Sequence, residues 1–381
     1  MFATIIRRLR RLTYWQWAKV GLAAIVIGLT FEMWGWHRSS MAYRRLTERH
    51  PQNSEKVSLV PKWLSLPESK WSWWYTKRPT GFSLNYHRID DGLLRDLESL
   101  PTIRSLMISE NDPFGGMQGL PSVPADAPDL SAAVRRIAQL RELESIHFNG
   151  PSVSETDLEH LAQLRQLQGL SLCGSKLNDL QALPRFQRLN SLWLSCDSIT
   201  ATGWKHVSQL PNLEQLSLYG MTIRAPDLKH LGPCRKLTSL LLLRTSISSD
   251  CWPVIAQLDR LEELHVAVVV IADPEKSQLP QLPRLKKLDL RYTNVSDESL
   301  IDLASRCPRL TELILWKAPI TDAAIPHLVR IPNLKTLDLR WTSITQTGCD
   351  DFARARPNVT LRWEEVRAEA SEPPQAVDQP Q

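Results

Sequence analysis

From residue 103 onward the apolar positions follow one arrangement, L-x-x-L-x-L, that returns at a nearly fixed interval. Its first positions are Ile103, Leu143, Leu167, Leu189, Leu213, Leu237, Leu261, Leu285, Leu310 and Leu334. The spacings are 40, 24, 22, 24, 24, 24, 24, 25 and 24, so seven of the nine lie within one residue of 24. Inside each arrangement apolar residues alternate with others, which predicts a short strand. Ten residues after its start comes an aliphatic: Val153, Leu177, Ile199, Ile223, Ile247, Ile271, Val295, Ile320 or Ile344. Apolar residues then follow at spacing three, as in Leu158, Leu161, Leu164 or Ile325, Leu328, Ile331. That is the period of a helix or of tight helical turns. One such unit cannot bury both of its apolar faces, but stacked units bury them against each other. The pattern predicts an α/β solenoid, curved, with a parallel sheet on its concave side.

The pattern has ends and interruptions. Residues 80–102, with Phe82, Leu84, Leu93, Leu94, Leu97 and Leu100, read as a part-unit forming an N-terminal cap. The gap of 40 after Ile103 holds an insertion near 112–128, rich in Gly and Pro, which reads as a loop. The unit starting at Leu167 is two residues short. The unit starting at Leu261 has Lys276 where an apolar residue is expected, between Pro274 and Pro283, so an irregular segment replaces its helix. Val359 to Trp363 reads as a closing strand, which ends the array at 363. Residues 364–381, rich in Pro, Gln, Glu and Ala, read as a disordered tail.

The N-terminal part has a different hydrophobic pattern. Val20 to Phe31 is an uncharged run of twelve residues, with Trp15 and Trp17 before it and Trp34 and Trp36 after it. The 23 residues from Tyr14 to Trp36 are long enough to cross a bilayer as a helix. Tryptophan at both ends fits an interfacial belt, and Arg7, Arg8, Arg10 and Arg11 precede the run. A cleaved signal peptide needs small residues at its cleavage site, and Glu32 to Arg38 offers none. The expected layout is a basic tail at 1–13, a transmembrane helix at 14–36, a tryptophan-rich juxtamembrane segment at 37–79 and the repeats at 80–363. Five basic residues flank the span on each side, at 1–19 and 37–56. The denser N-terminal cluster favours an inside N-terminus and repeats outside the cytoplasm. The absence of a cysteine-rich capping pattern pulls the other way.

Repeats such as Leu213-Glu-Gln-Leu216-Ser-Leu218, Leu285-Lys-Lys-Leu288-Asp-Leu290 and Leu334-Lys-Thr-Leu337-Asp-Leu339 resemble those of the leucine-rich repeat family over about residues 80–363. The tails Thr293-Asn-Val-Ser-Asp297 and Ile320-Thr-Asp322 resemble its T-x-I-T-D-x-x-L version. The layout as a whole resembles single-pass, membrane-anchored leucine-rich repeat proteins of planctomycete-type bacteria. The resemblance implies a right-handed solenoid of about ten units that binds a protein partner and catalyses nothing.

Charge changes the picture in one respect. The net charge is +5, yet residues 1–60 carry a balance of +7 and the other 321 residues one of −2. The basicity belongs to the flanks of the apolar run, so the array is not expected to bind nucleic acid. No H-E-x-x-H, C-x-x-C, G-x-G-x-x-G or P-loop motif occurs, and no acid, base or nucleophile cluster stands out. No cofactor is expected. His160, His206, His230 and His327 recur at one place in their units, but no carboxylate or thiolate set accompanies them, and no metal is expected. Cys173 and Cys196 lie near the ends of adjacent strands, offset by one residue, which favours two free thiols over a disulfide.

Alternate strand residues should face the core and the concave surface. Early strands present small or neutral groups outward: Ser105, Met107, Ser145, His147, Asn149, Ser171, Ser191, Trp193, Ser217 and Tyr219. Late strands present Lys287, Asp289, Arg291 and Tyr292, then Trp316 and Lys317, then Asp338, Arg340 and Trp341. Arginine and aromatics are the types enriched at interface hot spots. These nine residues are the candidate partner-binding patch. A glycan or cell-wall component, stacked on the aromatics, is the alternative ligand, and shielding of the sheet by cross-strand contacts is the non-functional one.

Overall fold

A computed structural model describes residues 41, 42, 45, 81–85, 89–100, 103–109, 130–150, 153–173, 177–196, 198–268, 270–272 and 279–364. Each L-x-x-L-x-L arrangement forms a strand. In chain order the strands are β1 (Gly81–Asn85), β2 (Ser105–Ser109), β3 (Ser145–Asn149), β4 (Gly169–Cys173), β5 (Ser191–Ser195), β6 (Gln215–Tyr219), β7 (Thr222–Ile223) and β8 (Ser239–Leu243). They continue with β9 (Ser246–Ser248), β10 (Glu263–Ala267), β11 (Val270–Ala272), β12 (Lys287–Asp289), β13 (Glu312–Ile314), β14 (Thr336–Asp338) and β15 (Thr360–Arg362). Among the described residues, twelve of them form one parallel sheet in the order β1-β2-β3-β4-β5-β6-β8-β10-β12-β13-β14-β15. The short strands pair separately, as β11-β9-β7.

The register of the large sheet stacks leucine on leucine. Leu106, Ile146, Leu170, Leu192, Leu216, Leu240, Leu264, Leu288, Leu313 and Leu337 are successive cross-strand partners. All ten are buried, as is the row two residues further on, from Ile108 and Phe148 to Leu315 and Leu339. Each buried leucine contributes roughly 1.5–3 kcal/mol of transfer free energy. The backbone repeats with the side chains. In the large sheet from β2 to β13, the carbonyl of the residue before each strand accepts two N–H bonds from the next unit, as Glu214 O does from Thr238 and Ser239.

Helices return the chain from one strand to the next. They are α1 (Asp91–Glu98), α2 (Ser131–Ile137), α3 (Glu155–Leu161), α4 (Ala201–Ser208), α5 (Ala225–Lys229), α6 (Cys251–Ile255), α7 (Leu303–Arg306), α8 (Ile325–Val329) and α9 (Gln346–Ala355). They are short because a unit of 24 residues leaves room for little more than one turn. Neighbours pack on each other, α2 on α3, α5 on α6 and α8 on α9. The aliphatic ten residues into each unit is buried where its side chain is described, from Val153 to Ile344. Side chains cap the starts: Asp90 accepts from Leu93 N, Ser154 from Asp157 N, Thr200 from Gly203 N and Thr345 from Gly348 N.

The Thr-Asp tails of the late units bracket one unit to the next. Asp297 accepts from the backbone N and hydroxyl of Thr321 at 2.8 and 2.6 Å. Asp322 does the same for Thr345, at the same two distances. Gly348 belongs to this bracket, since a Cβ there would collide with the Asp322 carboxylate.

Several expectations are corrected or refined. The N-terminal segment supplies a strand and a helix: β1 pairs with β2 along all five residues, and α1 follows it. The short unit from Leu167 replaces its α-helix by a single 3-10 turn, Leu183–Arg185. The strand near 359–363 closes the sheet as β15. Ahead of the array, Ala42 is fully buried in the core and Arg45 Nε lies 2.9 and 3.0 Å from the two carboxylate oxygens of Asp96 in α1. The insertion at 112–128, the segment around Lys276, the tail from 365 and the expected span 14–36 lie outside the described residues. No helix among the described residues is long and apolar enough to cross a membrane.

The bracket makes a prediction. Asp322→Ala should lower stability by about 1 kcal/mol, since Thr345 loses two acceptors at a helix start. Chemical denaturation of Asp322→Ala, Thr345→Val and the double variant should show a double loss smaller than the sum. Additive losses would mean that the two residues act separately.

Candidate functional site

The outward face of the sheet is a grid whose rows cross the strands. The first row runs Ser105, Ser145, Gly169, Ser191, Gln215, Ser239, Glu263, Lys287, Glu312 and Thr336. The middle row runs Met107, His147, Ser171, Trp193, Ser217, Leu241, His265, Asp289, Ile314 and Asp338. In the early units both rows are small or neutral. Ser145 Oγ donates to Ser105 Oγ at 2.8 Å, and burial pushes the pKa of His147 down.

The late units differ in construction. Asp289 and Asp338 do not face a partner as expected; they are 1% and 2% exposed. Each is covered by the arginine two residues on. Arg291 donates to Asp289 through its backbone N at 3.1 Å and its Nε at 2.9 and 2.8 Å. Arg340 donates to Asp338 through its backbone N at 3.2 Å, Nε at 2.9 Å and Nη2 at 2.6 Å. His265 Nδ1 lies 3.2 Å from Asp289 as well. Burial alone would raise the Asp289 pKa, but the bonds from His265 and Arg291 and the Arg291 charge outweigh it and hold the carboxyl below its ordinary range. The carboxylates are therefore fasteners, and the guanidinium groups are the half-exposed surface above them. Lys287 Nζ reaches Glu312 at 3.3 Å.

Tyr292, Lys317 and Trp341 lie just past their strands, all with left-handed backbone. The same place, seven residues into the unit, is left-handed in Gly150, Gly220, Arg244, Val268, Tyr292, Lys317 and Trp341. The reason is the ladder. The residue still donates its N–H to the next strand's end, as Gly220 N does to Leu243 O, Val268 N to Arg291 O and Lys317 N to Arg340 O. After that last rung the chain must turn away from the sheet. Glycine adopts this conformation freely, whereas other residues pay about 1–2 kcal/mol.

Around this row the cations and rings interleave. Lys317 Nζ lies 5.0 Å from the ring centroid of Tyr292 and 5.7 Å from that of Trp341. The Arg340 guanidinium lies 5.4 Å from that of Trp316. Tyr292 and Trp316 meet at 5.2 Å with their planes inclined by 57°. Arg244 approaches Tyr219 at 6.0 Å. Eight of the nine predicted residues thus form one connected cluster, in which Asp289 and Asp338 anchor and Arg291, Tyr292, Trp316, Lys317, Arg340 and Trp341 make the surface, while Lys287 pairs with Glu312 instead. Sequence reasoning singled out Tyr292, Lys317 and Trp341 but missed Arg244 and Val268, which stand at the same place in their units; Gly150 and Gly220 there were the available signal.

A family model described as Leucine Rich repeat matches residues 281–304 and 330–353. These stretches are two units of the same sheet, in register with the rest. These two units are leucine-rich repeats. The array as a whole is similar to the crystal structure of an internalin from Listeria monocytogenes strain 4b F2365. That likeness has 20% identity, 71% coverage of this chain, 70% coverage of the internalin chain and a TM-score of 0.46. No curated protein matches the chain.

Among the described residues, no group of three or more His, Cys, Asp or Glu could hold a metal ion. His206 is engaged with the carbonyl of Asp179 at 2.7 Å. All six cysteines are buried and none is joined in a disulfide, Cys173 and Cys196 included. Burial pushes the thiols of Cys234 and Cys307 up to about 11 and that of Cys349 to about 12, far from nucleophilic thiolates.

Two measurements test this construction. The unfolded Asp289 carboxyl titrates near the ordinary value of about 4 and the folded one lower. Its contribution to stability is therefore full above that range and is lost as pH falls through the folded pKa. Asp289→Asn should destabilise at neutral pH and flatten the acid limb of a stability–pH curve; an unchanged limb would remove the carboxylate from that role. Val268 is β-branched and 46% exposed, so its left-handed backbone is compensated by few contacts. Val268→Gly should raise stability by up to about 1 kcal/mol in thermal unfolding. A loss would mean that the side chain is needed for the fold.

Proposed function

We propose that this protein is a membrane-anchored, non-catalytic scaffold that binds another protein on the concave face of its repeat array. The observation that carries this reading is the contrast along one continuous sheet. Its early units are small and neutral, and its late units hold a cluster of arginine, lysine, tyrosine and tryptophan braced by buried aspartates. Such groups, fixed in place before binding, lower the entropy cost of association. Recognition of a glycan is the second reading, and the rings of Tyr292, Trp316 and Trp341 favour it. Each ring carries a cation on one face, which leaves less open surface for stacking a sugar and favours the protein reading.

The anchor reading rests on the apolar 14–36 segment and its tryptophan flanks, with the repeats outside the cytoplasm. Protease added to intact cells should then digest the array and spare an N-terminal tag. Survival of the array until the cells are opened would place it inside.

The binding reading calls for the full chain in detergent, since Ala42 and Arg45 complete the start of the array. A photo-crosslinking residue replacing Lys287 should capture a partner protein, whereas one replacing the exposed Lys205 of α4 should not. Equal capture from both positions, or from neither, would overturn the concave-face scaffold.

A further inference from the structure

The row of left-handed residues along the strand exits has a composition the fold does not require. Two units meet the left-handed demand with Gly150 and Gly220. Five successive units then place Arg244, Val268, Tyr292, Lys317 and Trp341 in it, where glycine would be unstrained. Two of these have little structural return. Val268 is among the exposed large hydrophobics, and Arg244 is exposed with one distant ring contact.

The charge of the row is one-sided. Asp289 and Asp338, three residues before Tyr292 and Trp341, are taken up by Arg291 and Arg340. Among the described residues neither Arg244 nor Lys317 has an ion-pair partner; their contacts are with the rings of Tyr219, Tyr292 and Trp341. The row therefore offers two uncompensated cations, an exposed valine between them and two aromatic rings. Neighbouring strands lie about 4.8 Å apart, so Arg244 and Lys317, three strands apart, are separated by roughly 14 Å. That is about four residues of extended chain at roughly 3.3 Å each.

We propose that this row is a docking ridge for an extended acidic segment of a partner protein, with carboxylates about four residues apart and an apolar side chain between them. The proposal rests on the scaffold reading and adds the chemistry of the partner. The carboxylates would pair with Arg244 and Lys317, and the apolar side chain would cover Val268. Tyr292 and Trp341 hold the Lys317 ammonium between them, so it is presented rather than searching for a partner.

The test uses the purified full chain in detergent and a displayed library of random twelve-residue peptides. Selected peptides should be enriched in Asp and Glu at spacings near four. A synthetic peptide of the selected sequence should bind at least tenfold more weakly to Lys317→Glu and to Arg244→Glu, and more weakly with added salt. Lys205→Glu on α4 should leave its affinity unchanged, and thermal unfolding should show each variant folded. Neutral or basic selected peptides overturn the proposal, as does charge reversal without effect. So does the absence of any selected peptide, including the case in which chitotetraose perturbs the tryptophan fluorescence instead. If the crosslinker at position 287 still captures a protein while the ridge variants bind it normally, the ridge fails and the scaffold reading stands.

Discussion

The structure depends on one constraint: each unit must deliver its strand to the previous one in the same register. A parallel strand displaced by a single residue would turn its leucines outward and its polar residues into the core. The chain meets this demand by keeping the strand invariant and absorbing length changes elsewhere. The unit from Leu167 is two residues short, yet Gly169 still pairs with Ser191, and the loss falls on the helical side, where Leu183–Arg185 makes one 3-10 turn. The unit from Leu285 has one residue more, yet Lys287 still pairs with Glu312. Its adjustment lies between the 3-10 turn Asp297–Leu300 and α7. Leu180 and Asp302, left-handed residues outside the strand-exit row, sit in these two adjusted units.

The same constraint has a local cost at the ends of the seven strands that lead into left-handed residues. The ladder runs one rung beyond the last buried leucine, and the chain then turns sharply out. Gly150 and Gly220 carry that turn without strain, and Thr293 and Thr342 lock it by donating their hydroxyls to Leu290 O and Leu339 O at 2.6 and 2.7 Å. Where a side chain occupies the turn, strain is retained in exchange for something displayed. Strain of this kind is a guide to function only when the fold has a cheaper solution in use elsewhere, and here it has one in Gly150 and Gly220.

How much of this could be read from the sequence follows from what each feature obeys. The leucine rows were legible because burial enforces a residue type, and a period near 24 repeated ten times leaves no second register. The T-D tails were legible as a resemblance, though not as brackets between units, since Asp322 and Thr345 are 23 residues apart. The outward positions were legible by alternation and misleading in one respect. Alternation places Asp289 and Asp338 on the surface, but a carboxylate two residues before an arginine in a strand can be folded under it, and only the side-chain geometry tells. The left-handed row was illegible for a deeper reason: nothing in Arg244 or Val268 announces a positive φ, and only their alignment with two glycines does.

The folded-under aspartates also determine what decides charge on this face. Each Asp-x-Arg pair is neutral as a unit, so Arg291 and Arg340 contribute shape and hydrogen-bond donors more than net charge. Lys287 is similarly balanced by Glu312. The sign at the strand exits is then set by residues outside the strands, Arg244 and Lys317, which have no ion-pair partner among the described residues. Beyond residue 60 the chain carries a balance of −2, so this positive row stands against a weakly negative background. A local sign opposed to that of the whole orients an approaching acidic partner toward one edge of the array, and does so through the encounter rate more than through the final affinity.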